Sequence, residues 1–330
     1  MNSRVNELPH PISPLALGAW AFAGGALWGD QDEALSIATI HAALDAGITL
    51  IDTAPGYGNG LSEEIVGRGL RGHRDRTLIA TKISGKNMAS KESVTAACED
   101  SLRRLQTDRI DLFQIHWLGA EDQLDEIVAA MESLRDAGKV LALGVCNFGP
   151  QSLAGLSTSS TGWITNQLCY NLLWRAVEFK ITEASEKNDM GILCYSPLQQ
   201  GLLTGRFTHA SEVPVGRNRT RHFNNKQEMA QHNEDGQEEL TFATIDRIRS
   251  IAEDLGQPMA DVALAWLLHQ RGVRSVIFGA RSPEQVAANM RAASLKLDDS
   301  ILGALNQATD GLKQALGPNA DLWAAKSRIV

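Results

Sequence analysis

Eight short apolar runs recur along this chain, and a stretch of helical periodicity follows each one. The runs fall at 15–20, 48–53, 77–82, 110–116, 140–147, 163–170, 191–197 and 275–280. Helix-like stretches lie at about 30–47, 61–70, 90–105, 124–138, just after Pro150, and at about 178–188, 240–255, 258–270, 283–293 and 300–316. Adjacent parallel strands need a crossover long enough to hold a helix, so this alternation predicts a parallel sheet clothed in helices. Eight repeats over this length match a closed (β/α)8 TIM barrel. An open doubly wound sheet shares the alternation but not the strand count. No shift in composition marks a linker, so 1–330 reads as one domain.

Local signals set the boundaries. Asp30 with Glu33 three residues on is a helix-opening pair, Ile37, Ile40 and Leu44 share a face, and Gly47 stops the helix. Residues 5–14 carry Pro9, Pro11 and Pro14 and read as a short N-terminal hairpin plugging one barrel end, or as an extended arm. Residues 198–239 form a long polar loop at the end of the barrel where strands point.

Several strand-like runs end in an ionisable group. The run through Leu50 and Ile51 ends at Asp52, and the turn residues Pro55, Gly56 and Gly58 then surround Tyr57. Two other runs end at Lys82 and His116. In a parallel barrel all strand ends share one face, and that face carries chemistry. A lone buried His or Tyr is usually structural, and a lone Lys in a core needs a partner. An acid and a phenol past one strand end, with an ammonium and an imidazole on two others, point instead to one site.

Other patterns narrow the function. Gly67-Arg68-Gly69-Leu70-Arg71-Gly72 spells a dinucleotide fingerprint, but it closes a helix instead of following a strand and opening one. A net charge of −8 argues against a nucleic-acid partner, and no apolar run reaches membrane-spanning length. Cys98, Cys146, Cys169 and Cys194 lie in apolar runs, the pattern of reduced buried thiols in a cytoplasmic protein. His209, His222 and His232 lack the spacing and companions of a metal site. Ser282-Pro283 opens a helix with Gln285 placed to complete a capping box, and a helix start behind Arg281 suits a phosphate.

The stretches from Asp52 to Glu63, Ala80-Thr81-Lys82, Gln114-Ile115-His116, 144–148, 195–198, 201–205 and 279–285 together resemble the aldo-keto reductase superfamily, in its order and over nearly the whole chain. Members of sugar and inositol catabolism and potassium-channel β subunits are similar. The resemblance implies a barrel that binds NADPH, with NADH less favoured, and interconverts a carbonyl and an alcohol on a small aldehyde, ketone or sugar. It implies Tyr57 as general acid, Lys82 beside it easing release of its proton, Asp52 holding Lys82, and His116 orienting the substrate oxygen. It places the cofactor against Gly18, Trp20, Asp52, Asn147, Gln167, Tyr195, Ser196, Leu198, Gly201, Leu203 and Gly279, and the adenosine 2′-phosphate against Arg281, Gln285 and Asn289. Trp20, Phe22, Trp28 and Trp117, with Tyr57 and His116, are expected to line the substrate pocket. A channel-β-like regulatory subunit would keep the same residues and act by docking instead. The chain departs from the family pattern at Cys146, Phe278 and Leu118. Arg206, Arg217, Arg219 and Arg221 in the long loop fit either an anion site or a solvated face. A monomer and a homo-oligomer are equally open.

Overall fold

The structure is a computed structural model that describes residues 8–119, 123–157 and 162–330. Eight strands close into a parallel barrel in chain order, with β8 pairing back to β1. They are β1 (Leu15–Gly18), β2 (Leu50–Asp52), β3 (Leu78–Ser84), β4 (Ile110–Trp117), β5 (Val140–Cys146), β6 (Trp163–Cys169), β7 (Gly191–Tyr195) and β8 (Val273–Gly279). The helices are α1 (Glu33–Asp45), α2 (Leu61–Gly69), α3 (Lys91–Leu105), α4 (Leu124–Asp136), α5 (Pro150–Ser157), α6 (Ile181–Lys187), α7 (Glu238–Asp254), α8 (Met259–Leu268), α9 (Pro283–Met290) and α10 (Asp299–Leu316). Helices α7 and α10 pack on each other, in addition to the crossover helices.

Strand periodicity divides each strand between two environments. One face turns into the barrel, where Ala16, Leu50, Leu78, Ala80, Leu112, Ala142 and Leu193 form an apolar floor. The other face, with Ile51, Ile79, Ile83, Phe113, Ile115 and Val145, packs outward against the helices. The period of two carries the inward row upward to Asp52 above Leu50, Lys82 above Ala80 and Gln114 above Leu112. The polar groups therefore sit on an apolar plug at the C-terminal rim.

Four local expectations change. Helix α1 is capped by Asp32, whose side chain accepts from the Leu35 amide, so the cap lies two residues beyond Asp30. Residues 5–7 lie outside the described residues, and 8–14 form bends and coil with no β-pairing among the described residues. Leu8 and Ile12 nonetheless cap the floor cluster, so the arm plugs the barrel without being a hairpin there. Ser282 makes no side-chain cap bond, and the Gln285 side chain accepts from the Arg281 amide and not from that of Ser282. The expected helix at 178–188 is a 3-10 turn over Ala176–Phe179 followed by α6.

The Gly67-to-Gly72 decoy has a packing cause. A Cβ at Gly67 would lie 2.6 Å from the Leu105 carbonyl oxygen, and one at Gly69 would lie 2.7 Å from the Ile40 side chain. These glycines let α2 approach the end of α3 and the face of α1, a structural use that involves no nucleotide.

Candidate active site

At the rim, Lys82 is fully enclosed and donates from Nζ to Asp52 Oδ1 at 2.6 Å, to the Thr53 carbonyl oxygen at 2.8 Å and to the Tyr57 hydroxyl at 3.3 Å. Three acceptors satisfy the three donors of the ammonium, which a buried charge requires. The other carboxylate oxygen of Asp52 accepts from Gln167 Nε2 at 2.7 Å and Gln114 Nε2 at 3.4 Å. Gln114 has no assigned role in the sequence reading. Its position two residues before His116 on the same inward row marks it as a further support for the ion pair.

The Tyr57 ring stacks on Trp20, with centroids 5.6 Å apart, and meets the His116 ring edge-on at 6.0 Å. Trp20 in turn meets Trp28 edge-on at 5.4 Å. Asn147, held at a positive φ of 61°, donates to the His116 carbonyl oxygen and accepts from the Tyr195 hydroxyl at 3.0 Å. This bond fixes the Tyr195 ring at the wall.

The electrostatics follow from burial. Enclosure disfavours the Lys82 ammonium, but Asp52 and then Tyr57 outweigh it, and its pKa lies above the ordinary lysine value. Burial pushes the Tyr57 phenol up to about 12, against the Lys82 charge that pulls it down. Lys82 thus acts in the expected direction, yet desolvation is larger, and the phenol stays protonated across the neutral range. Burial, then Lys82, lowers the His116 pKa to about 3, so its imidazole is neutral.

These groups open into one cavity of about 520 Å³. Its wall includes Gly18, Trp20, Trp28, Asp52, Tyr57, His116, Trp117, Asn147, Gln167, Tyr195, Ser196, Leu198, Gly201, Gly279, Arg281 and Gln285. Lys82 is not in the wall and acts through Asp52 and Tyr57. Phe22 is 1% exposed and belongs to the core, because the short 3-10 turn over Trp20–Ala23 sends it inward. Leu203 is fully buried, with its amide spent on the Leu198 carbonyl, and Asn289 packs at 8% exposure behind the wall.

The long loop forms much of the remaining wall through Gln200, Thr204, Arg206, Arg217, Arg219, Met229 and Gln231. It reaches across the mouth: a Cβ at Gly216 would touch Leu27, and the Arg217 guanidinium lies 5.3 Å over the Trp28 ring. Arg221 is different, because it is 5% exposed and bonded to Glu234 and to carbonyls of Leu316, Asn319 and Asp321. Trp323 and Arg328 also line the cavity, brought there by residues 317–330. They follow α10 without periodicity, and nothing in the sequence pattern singled them out. Among the described residues no group of three His, Cys, Asp or Glu converges to hold a metal. All four cysteines are buried and free.

Similarities to known proteins agree with this geometry. The sequence model of the Aldo/keto reductase family matches residues 14–310. The chain is 37% identical to aldo-keto reductase YhdN of Bacillus subtilis (strain 168), over 84% of this chain and 83% of that protein. It is 30% identical to the NADH-specific methylglyoxal reductase of Escherichia coli (strain K12), over 92% and 96%. A crystal structure of an aldo-keto reductase from Klebsiella pneumoniae in complex with NADPH superposes with a TM-score of 0.72 at 29% identity, covering 90% of this chain and 91% of that one. The chain belongs to the aldo/keto reductase family and is an NAD(P)H-dependent oxidoreductase.

Proposed function

We propose that this protein reduces the carbonyl of a small aldehyde, ketone or sugar to the alcohol, with NADPH as cofactor and Tyr57 as general acid. One observation carries the reading: an enclosed ammonium, neutralised by Asp52, stands 3.3 Å from the Tyr57 hydroxyl at the wall of the cavity.

The wall suits a dinucleotide. Among the described residues its sole carboxylate is Asp52, which is held by Lys82, whereas Arg206, Arg217 and Arg281 supply positive charge around one region. Within the cavity wall, the buried Nε of Arg217, Nε2 of Gln200 and Nε1 of Trp28 have no partner among the described residues, and such donors suit a polar ligand. Arg281 and Gln285 at the start of α9 would hold the adenosine end. The Arg281 guanidinium now bonds to Gln31 Oε1 and to the carbonyl oxygens of Trp28 and Asp30. A 2′-phosphate would take over those donors, since a charged acceptor bonds more strongly than a carbonyl. Gln167 spends its N–H on Asp52 and keeps an oxygen for a carboxamide, and the Tyr195 ring offers a face for a flat heterocycle.

When bound, the cofactor supplies the hydride, and this chain supplies placement and a proton. Neutral His116 donates to the substrate oxygen and fixes its direction. Tyr57 gives its hydroxyl proton to that oxygen as charge develops there. The Lys82 ammonium then stabilises the phenolate left behind, and Asp52 keeps Lys82 charged throughout. Trp20, Trp28 and Trp117 exclude water around the reacting carbon.

A screen of thermal stabilisation by NADPH and NADH, followed by turnover of aldoses, inositol-derived ketones and simple aldehydes, tests the reading. NADPH stabilisation with turnover of at least one class is expected. Stabilisation without turnover of any carbonyl would refute the reductase and leave the channel-β-like subunit.

A further inference from the structure

Among the described residues five arginines line the cavity, and they are not equivalent. Arg328 is neutralised by both oxygens of Asp321, at 2.6 and 2.9 Å. Arg281 is engaged with the Trp28-to-Gln31 turn. Arg206 and Arg281 are the cations whose charge bears on Arg217, so these three form one group. Arg219 is half-buried, and burial lowers its pKa. Among the described residues it pairs with no carboxylate, and its buried Nε has no hydrogen-bond acceptor.

The surroundings of Arg219 lead to the reacting centre. Its guanidinium lies 4.6 Å over the Trp323 ring. The Trp323 amide donates to Asp321, Asp321 holds Arg328, and Arg328 lies 4.0 Å over the ring of Trp117, the neighbour of His116. Trp117, Trp323 and Arg219 all line the cavity that Tyr57 and His116 share. Stacking on Trp323 fixes the plane of the Arg219 fork, which suits the flat or tripodal oxygens of a carboxylate or phosphate. Its buried Nε remains a donor that the oxygen of an anionic ligand can satisfy.

We propose that Arg219, braced by Trp323, selects carbonyl substrates that carry an anionic group, a carboxylate or a phosphate, at the end remote from the carbonyl. Neutral analogues of the same length bind the same wall without that contact. The proposal rests on the reductase reading, and its test separates the two.

The test compares kcat/KM for succinic semialdehyde against butanal, and for glyceraldehyde 3-phosphate against glyceraldehyde, at low ionic strength. The first pair reads a carboxylate and the second a phosphate. The expected preference for at least one anion is about tenfold or more, worth about 1.4 kcal/mol. In Arg219→Gln that preference collapses to about one through KM, while neutral kcat/KM and the NADPH affinity stay within about twofold, because uniform binding alone is lost. Wild-type protein with no anion preference would overturn the proposal. A preference unchanged in Arg219→Gln would also overturn it, and so would a joint fall in NADPH affinity and in both substrate classes, which would assign Arg219 to the cofactor. If wild-type protein turns over none of the four carbonyls, the reductase reading has failed. Calorimetry of the NADP+-loaded wild-type protein with succinate and glycerol 3-phosphate, against butanol and glycerol, then decides the anion site. Binding of an anion but not its neutral partner supports it, and equal or absent binding overturns it.

Discussion

Replacing Lys82 by Met removes the ammonium that bonds to both Asp52 and Tyr57, and two separate losses follow. The first is in stability. Asp52 is 3% exposed and keeps only the amide donors of Gln167 and Gln114. Breaking a buried pair by removing one partner costs about 3–5 kcal/mol. A chain of 330 residues unfolds with an entropy near 0.7 kcal/mol per degree, so Tm should fall by about 4–7 °C. The second is in catalysis. At the 3.3 Å separation of Nζ and the phenol oxygen, an effective dielectric near 20 caps the attraction for a full phenolate at about 5 kcal/mol. Part of that charge develops in the transition state, so a 10²- to 10⁴-fold loss of kcat is expected, the usual span for a general acid. The assay follows consumption of NADPH at saturating carbonyl, with cofactor affinity measured by fluorescence as the control for folding. A variant that binds NADPH normally and keeps kcat within about threefold of wild type would refute the role given to Lys82.

Other outcomes follow from the same coordinates. Gly67→Ala forces a Cβ against the Leu105 carbonyl and should cost about 1–3 kcal/mol of stability with NADPH affinity unchanged; weakened cofactor binding at full stability would revive the nucleotide reading of that motif. Arg281→Ala should weaken NADPH about tenfold or more and NADH by less than about threefold, measured by titration, since only the former carries the 2′-phosphate. His116 has a folded pKa of about 3 against an ordinary value of 6.5, so the unfolded chain binds more protons between these values. Its contribution to stability is present above about pH 6.5 and is lost as pH falls towards 3. A Tm series over pH 4–7 should therefore show a shallower acid slope in His116→Gln than in wild type.

The rim was legible where chemistry breaks a simple pattern. Asp52, Lys82 and His116 each end an apolar run, and the barrel topology brings such ends together without further information. Tyr57 was legible from the turn residues around it. The supports were harder to see. Gln114 and Gln167 look like ordinary polar strand residues until the closed barrel aims both at Asp52. Trp323 and Arg328 follow α10 with no periodicity, and only the tertiary path of residues 317–330 delivers them. Phe22 and Leu203 stand next to residues that do face the cavity, and a step of one position turns a side chain into the core, whereas Asn289 lies one helical turn beyond Gln285. The balance at Tyr57 also lay beyond the sequence. Residue identity gives the sign of the Lys82 effect, but the larger desolvation depends on how deeply the loops bury the hydroxyl. Asp32 displaced Asp30 as the cap of α1 because both can serve, and only backbone geometry chooses between them.

The most direct measurement is the single-turnover rate of hydride transfer in Tyr57→Phe, beside its NADPH affinity. The account predicts an affinity within about twofold of wild type and a rate reduced about 10²-fold or more, because the ring remains and the transferable proton is gone. An unchanged rate would contradict it, since the proton would then come from another group and the buried ammonium would have no catalytic partner.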